Sequence, residues 1–339
     1  RGHTYRSDGS IYFRIETLPQ YGQLARLDHD GMKSGARVDS DKYDKEDARD
    51  FVLWKATRAD EPTWDCGIGP GRPGWHIECS AMALRLLGPA PIDIHCGGVD
   101  LIFPHHENEI AQAEGATGQQ FARFWYHVEH LLMDDGEKMS KSLGNVFTIR
   151  DILDQGYRAS ALRYLLISVH YRKQLKFSWA TLQQAEEAVR RLIDCVGRLE
   201  RVTAGSGTDG WDARLAAASA DFSDKLRADV NVPGALGAVF ELLREANAAI
   251  DAATLSPEQA RATLAFFDAC DKVLGVLALR RQEDAAPPIP QHELDALIEA
   301  RVQARRMRDF AEADRIRAEL DARGVLLEDS ASGTIWKRK

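Results

Sequence analysis

An open α/β layer with a parallel sheet, followed by an α-helical bundle and a small α+β module at the carboxyl end, is the architecture predicted for this chain, and three observations predict it. From Thr63 to Ile149 short apolar runs alternate with helical patterns, the strand–helix–strand order of parallel sheets. Beyond about residue 158 long Ala-, Leu-, Arg- and Glu-containing segments carry helical periodicity. From Gln291 onward two further helical patterns are followed by two short β-type runs.

Taken in order, Ser10-Ile11-Tyr12-Phe13-Arg14-Ile15 reads as a strand with only a Ser/Asp/Gly turn before it, so the chain is expected to start inside a fold. Residues 20 to 60 are polar, with charge clusters from Asp39 to Asp50, and suit an inserted surface subdomain ending at Phe51-Val52-Leu53-Trp54. A Gly/Pro-rich loop (Gly67 to Gly74), a helix at about 75–87, a strand at Ile92-Asp93-Ile94-His95, a helix at about 104–115 and a strand near Val128 to Met133 follow. Thr203 to Gly210 separates helices of the bundle, and Ala285-Ala286-Pro287-Pro288-Ile289-Pro290 should form an extended, semi-rigid linker. Helices at about 291–308 and 310–323 then lead to strands at Val325-Leu326-Leu327 and Thr334-Ile335-Trp336. The expected divisions are 1–60, 61–157, 158–284, the linker 285–290 and 291–339.

With 339 residues, 44% of them hydrophobic, the chain can build two or three cores. No apolar run approaches the roughly 18 residues that cross a bilayer, and Arg1-Gly2-His3-Thr4 lacks a signal-peptide pattern, so a cytoplasmic protein with no membrane partner is expected. The five cysteines, Cys66, Cys79, Cys96, Cys195 and Cys270, are odd in number and scattered, which argues for reduced thiols, most of them small core residues. A net charge of −8 argues against indiscriminate nucleic-acid binding and leaves room for a local, shape-dependent RNA contact.

Several short strings carry chemistry. His105 and Glu109 lie four apart on a helix expected to begin at Pro104, so an imidazole and a carboxylate share one face and can reach one zinc ion, although an exposed polar helix fits the same spacing. Cys79, in Gly74-Trp75-His76-Ile77-Glu78-Cys79, adds a thiolate and completes three donors that zinc accepts together; a core thiol is the alternative. Lys138-Met139-Ser140-Lys141-Ser142 stands between a Met133-Asp134-Asp135-Gly136 turn and Leu143-Gly144-Asn145, a Gly-flanked loop whose two ammonium groups suit a triphosphate, or simply solvent. In His95-Cys96-Gly97-Gly98-Val99-Asp100, Gly97 and Gly98 allow close approach of a ligand to the backbone and Asp100 can accept from ribose hydroxyls; a plain tight turn is equally compatible. A phosphate-holding segment beside a metal-holding one points to an ATP-consuming ligase.

Together, Gly71 to Ser80, Asp93 to Asp100, Phe103 to Glu109 and Lys138 to Asn145 closely resemble the cysteinyl-tRNA synthetases, class I aminoacyl-tRNA synthetases, and the resemblance extends to Thr334-Ile335-Trp336-Lys337-Arg338-Lys339. It implies the second half of a Rossmann-like catalytic domain, a helical bundle that contacts tRNA, and a terminal module that reads the anticodon. The implied reaction takes L-cysteine and ATP with Mg2+ to cysteinyl-adenylate and then to tRNA(Cys), on a monomer. In the family Zn2+ is held by two cysteines, a histidine and a glutamate, three of which map onto Cys79, His105 and Glu109. The remaining cysteine belongs near a His-Ile-Gly-His string that does not occur here, so a fragment inactive by itself is expected.

The resemblance assigns ATP contacts to Lys138, Lys141, Gly97, Gly98 and Asp100, the amino-acid pocket to Trp75 and His95, and anticodon recognition to Arg305, Phe310, Asp314, Asp329 and Trp336. A buried core tryptophan is the alternative for Trp75, and helix solvation or i,i+4 pairing for the terminal arginines. Residues 291 to 339 hold ten acidic and ten basic side chains, so RNA contact there must rest on patterning and stacking. A mycothiol-pathway ligase joining cysteine to an amino sugar, and a non-catalytic tRNA- or zinc-binding fragment, are the alternative functions; the former lacks the anticodon module. One departure stands at Asp229-Val230-Asn231-Val232-Pro233, where the family often has Asn-Thr-Pro: Val232 cannot cap the next helix, at a cost of about 1 kcal/mol unless Asn231 substitutes.

Overall fold

The computed structural model describes residues 1–27, 50–133, 136, 139, 146–330 and 333–338. Two compact units are present, Arg1–His130 with Tyr171–Gln174, and Leu131–His170 with Leu175–Lys339.

The first unit opens with a five-stranded antiparallel sheet of order β1-β2-β3-β5-β4, from β1 (Thr4–Ser7), β2 (Ser10–Phe13), β3 (Phe51–Ala56), β4 (Trp64–Asp65) and β5 (Pro70–Pro73). The Ser/Asp/Gly turn expected before Ser10 is present at Asp8-Gly9, and a further strand, Thr4–Ser7, precedes it; two other expectations are corrected. Phe51 to Trp54 belongs to the inner strand β3, whose Phe51 stacks on Phe13 with ring centroids 5.2 Å apart, and does not simply close a surface subdomain. Pro70–Pro73, read as loop from its Gly/Pro content, pairs with β3 because Gly71 lets the two backbones close: a Cβ there would lie 2.3 Å from the Lys55 carbonyl oxygen.

A β–α–β unit follows: α1 (Trp75–Leu86), β6 (Ile92–Gly98), a tight irregular turn over Val99–His106, α2 (Glu107–Thr117) and β7 (Ala122–Val128). β6 and β7 pair in parallel, with Ile94 opposite Phe124 and Gly97 opposite His127. The expected strand near Val128 to Met133 is two strands, β7 ending at Val128 and β8 (Leu131–Met133) in the other unit. α2 begins at Glu107 and not at Pro104, because Phe103 takes an extended conformation (φ −140°, ψ 134°) that interrupts the helical path.

In the second unit β8 pairs in parallel with β9 (Leu175–Phe177), and α3 (Ile149–Asp154) and α4 (Ala159–Ile167) lie between them in sequence. The bundle is α5 (Trp179–Glu200), α6 (Trp211–Arg227), α7 (Val232–Asp251), α8 (Pro257–Leu274) and α9 (Leu277–Ala285), packed on a core that includes Leu192, Trp211, Leu242, Leu255 and Phe267. The linker leads to α10 (Gln291–Arg306), α11 (Phe310–Ala322) and the antiparallel hairpin β10 (Val325–Ser330) and β11 (Gly333–Arg338), close to the expected bounds. Local start signals explain these helices. Ser178 and Ser256 form reciprocal capping boxes with Thr181 and Gln259. Among the described residues, no helix is long and apolar enough to cross a membrane.

Of the cysteines, Cys195 and Cys270 are buried, where desolvation raises their thiol pKa values to about 11 and about 12, while Cys66 and Cys96 are exposed and Cys79 is half-buried. Core placement thus holds for two of the five and not for most.

Asn231 does cap α7: its Oδ1 accepts from the Gly234 N–H at 3.0 Å, with Pro233 in the first turn. Asn231→Ala is expected to lower unfolding stability by about 1 kcal/mol, read as a reduced urea midpoint at unchanged m.

Candidate active site

Two helices and two strands converge on one carboxyl group. α2 carries Glu109, with His105 and His106 in the turn immediately before it; α1 carries His76 and Cys79; β6 and β7 carry His95 and His127. Glu109 is fully buried, and His105 and His106 are 5% and 1% exposed. The exposed-helix alternative for His105 and Glu109 is therefore overturned. Among the described residues, Cys79, His105 and Glu109 offer ligand atoms that all lie within 4.8 Å of one another, and so do His95, His106 and Glu109.

The imidazoles are aimed by other imidazoles. His105 Nδ1 lies 2.8 Å from His76 Nδ1, and His106 Nδ1 lies 2.8 Å from His127 Nε2. A neutral ring has one N–H, so with each Nδ1 proton given to its partner, both Nε2 atoms keep lone pairs toward Glu109 Oε2, each at 3.8 Å. His95 Nε2 is closer, 2.9 Å from the same oxygen. Glu109 Oε1 is buried and, among the described residues, has no hydrogen-bond partner, an unsatisfied acceptor of the kind a cation satisfies. Donor separations of this size suit zinc, whose bonds to N, O and S are about 2.0–2.3 Å.

Burial lowers the pKa of His105, against the pull of Glu109, and that of His127; burial together with His95, His127 and His105 pushes His106 down to about 3. These rings are held neutral, the form that ligates metal. Burial first, then Glu109 and Glu78, raises the Cys79 thiol, so a bound cation must displace its proton.

The residues between the ligand candidates have structural duties. Glu107 accepts from the backbone N–H groups of Gly22 at 2.6 Å and Ala25 at 2.9 Å, and Asn108 Oδ1 accepts from the Tyr21 hydroxyl at 2.6 Å, tying the turn after Leu18 to α2. Gly97 makes room for His106, since a Cβ there would sit 2.6 Å from the ring; at Gly98 it would meet Asp100 Oδ1 at 2.5 Å. Both glycines thus accommodate the protein's own side chains. Asp100 is exposed, with the His130 ring 3.4 Å away.

Trp75 is 62% exposed, its ring centroid 4.6 Å from that of His105, which rules out the core alternative and leaves it beside the cluster. Lys138 and Lys141 lie outside the described residues. In the terminal module Arg305, Phe310 and Asp314 are exposed, Trp336 is half-buried against the core of Leu294, Ile316 and Leu320, and Asp329 lies on β10. Sequence reasoning missed His76, His106 and His127 as site residues. His76 and His106 sit inside the strings that were singled out, whereas nothing local marks His127, which reaches the site through its register opposite Gly97.

Residues 1–187 match the family description "tRNA synthetases class I (C) catalytic domain", residues 221–278 the DALR domain, and residues 290–336 the "Cysteinyl-tRNA ligase anticodon binding domain". A cysteine–tRNA ligase of Solibacter usitatus is 49% identical over 99% of this chain and 72% of its own length. The chain belongs to the cysteine–tRNA ligase family. The family's enzymes from Leptospira interrogans and Chlamydia felis are 42% and 45% identical, over 100% and 98% of this chain and 72% and 69% of their own lengths. As cysteine–tRNA ligases they are aminoacyl-tRNA synthetases, enzymes of protein synthesis that use ATP, and the α/β catalytic domain, helical bundle and terminal module fit that family.

The neutral histidines carry a pH signature in the metal-free chain. Their folded pKa values lie below the unfolded value of about 6.5, so between the two the unfolded state binds more protons. Stability is fully present above about pH 6.5 and falls on acidification, with a slope of up to about 1.4 kcal/mol per pH unit from His106. Urea midpoints from pH 7.5 to 5.0 check this, and a flat profile contradicts it.

Proposed function

We propose that this chain serves the ATP-dependent activation of L-cysteine and its transfer to tRNA(Cys), with Zn2+ held by Cys79, His105 and Glu109. The supporting observation is the buried Glu109 carboxyl, faced by a histidine whose other nitrogen is engaged and by a half-buried thiol. When bound, zinc would supply a thiophilic Lewis acid that favours a sulfur ligand over a hydroxyl, a distinction an apolar pocket makes poorly between groups differing by one atom. The chain's own groups do the rest. His76 orients His105, Trp75 forms an aromatic wall at the pocket mouth, and His95 restrains Glu109. Gly97, Gly98 and Asp100 belong to the nucleotide side, and Lys138 and Lys141 would counter charge on ATP, with Mg2+, as the bond at phosphorus forms.

In the terminal module Phe310 and Asp314, four apart on α11, present an exposed aromatic ring and an acceptor, with Met307 and Arg305 exposed just before them. Such a surface suits stacking on unpaired bases. Asp329 and Trp336 on the hairpin complete the proposed anticodon face. The match over residues 290–336 favours tRNA over an amino-sugar acceptor. A monomer working in the cytoplasm is part of this reading. The His-Ile-Gly-His string is absent from the 339 residues, and the chain spans 72% of the length of the Solibacter usitatus relative.

Calorimetry on the zinc-loaded chain should show L-cysteine binding at least about tenfold more tightly than L-serine. Cys79→Ser should remove both zinc and that preference. Equal binding of the two amino acids, or failure to retain zinc, overturns the proposal. His76→Phe, which deprives His105 of its partner, should weaken zinc about 10–100-fold by competition with a chromophoric chelator.

A further inference from the structure

We infer that the cluster contains a second, thiol-free seat for a divalent transition-metal ion, formed by His95 Nε2, His106 Nε2 and Glu109 and sharing Glu109 with the proposed zinc site. Its three donors lie within 4.8 Å of one another, with Oε2 of Glu109 2.9 Å from His95 and 3.8 Å from His106. His106 is 1% exposed and Glu109 fully buried, and Glu109 Oε1 has no hydrogen-bond partner among the described residues, so this is a formed, desolvated seat. Its geometry is supported from outside. His127 engages His106 Nδ1 at 2.8 Å, Trp125 packs against both rings with centroids 4.9 Å and 5.1 Å away, and Gly97 leaves the space His106 fills.

Two imidazoles and one carboxylate form a harder donor set than one containing a thiolate, suited to Co2+, Ni2+ or Zn2+. An ion there draws Glu109 away from the Cys79–His105 side. Excess divalent metal would thereby compete with the thiol-selecting function. The inference rests on the same carboxyl as the proposed function, yet its test separates the two.

Co2+ titration of the full chain, followed by visible and near-ultraviolet absorption, reads both seats. The parent's thiolate-to-cobalt charge-transfer band reports the Cys79 seat, and its absence would count against the proposed function alone. Cys79→Ser should lose that band yet still bind Co2+, no more than about a hundredfold more weakly. In the Cys79→Ser background, His95→Gln and His106→Asn should each weaken binding by at least about tenfold, whereas His105→Gln should leave it nearly unchanged. The pair guards against one variant misfolding, with circular dichroism as control. Loss of all Co2+ binding in Cys79→Ser, or dependence of the residual binding on His105 in place of His95 and His106, overturns the inference.

Discussion

A carboxyl group removed from water with half of its acceptor capacity unused is the constraint around which the first unit is arranged. Burying such a group without compensation costs several kcal/mol, and Glu109 is compensated by His95 on β6, whose Nε2 lies 2.9 Å from Oε2, while the ring nitrogens of His105 and His106 from the turn into α2 face the same oxygen at 3.8 Å. The rings are themselves held, by His76 on α1 and His127 on β7. The parallel pairing of β6 and β7 and the approach of α1 to α2 therefore serve electrostatics as much as packing. Shifting any one element would leave the carboxyl facing fewer nitrogens.

The string Glu107-Asn108-Glu109 shows how one helical turn divides its work. Glu109 faces the imidazoles, while Glu107 and Asn108 hold the turn after Leu18 through backbone N–H groups and the Tyr21 hydroxyl. Polar burial at this turn persists because Glu107 and Asn108 find partners, while Glu109 Oε1, unpartnered among the described residues, stands where a cation is proposed. The same economy appears at Gly97 and Gly98, whose lack of a side chain admits His106 and Asp100.

The helical part of the molecule was legible because its signals are local. Periodicity, the serine caps of α5 and α8, and the Pro-rich linker all act within a few residues, and even the substitution of Asn231 for a missing cap could be anticipated from one step along the chain. The antiparallel sheet was not legible in the same way. Its strands are short, one of them, β5, is Pro-Gly-Arg-Pro and reads as a turn, and the pairing of Tyr12 with Val52 spans forty residues of sequence. Such pairings are stabilised by contacts that no local window contains.

The donor set, a thiol, imidazoles and a carboxyl within the first α/β unit, was determined by the amino-acid sequence alone, since residue type sets what an atom can ligate. Which donors face one another was decided by the tertiary structure. An imidazole offers either of two nitrogens, and the choice falls to whichever partner occupies the other; for His105 and His106 those partners, His76 and His127, arrive from 29 and 21 residues away.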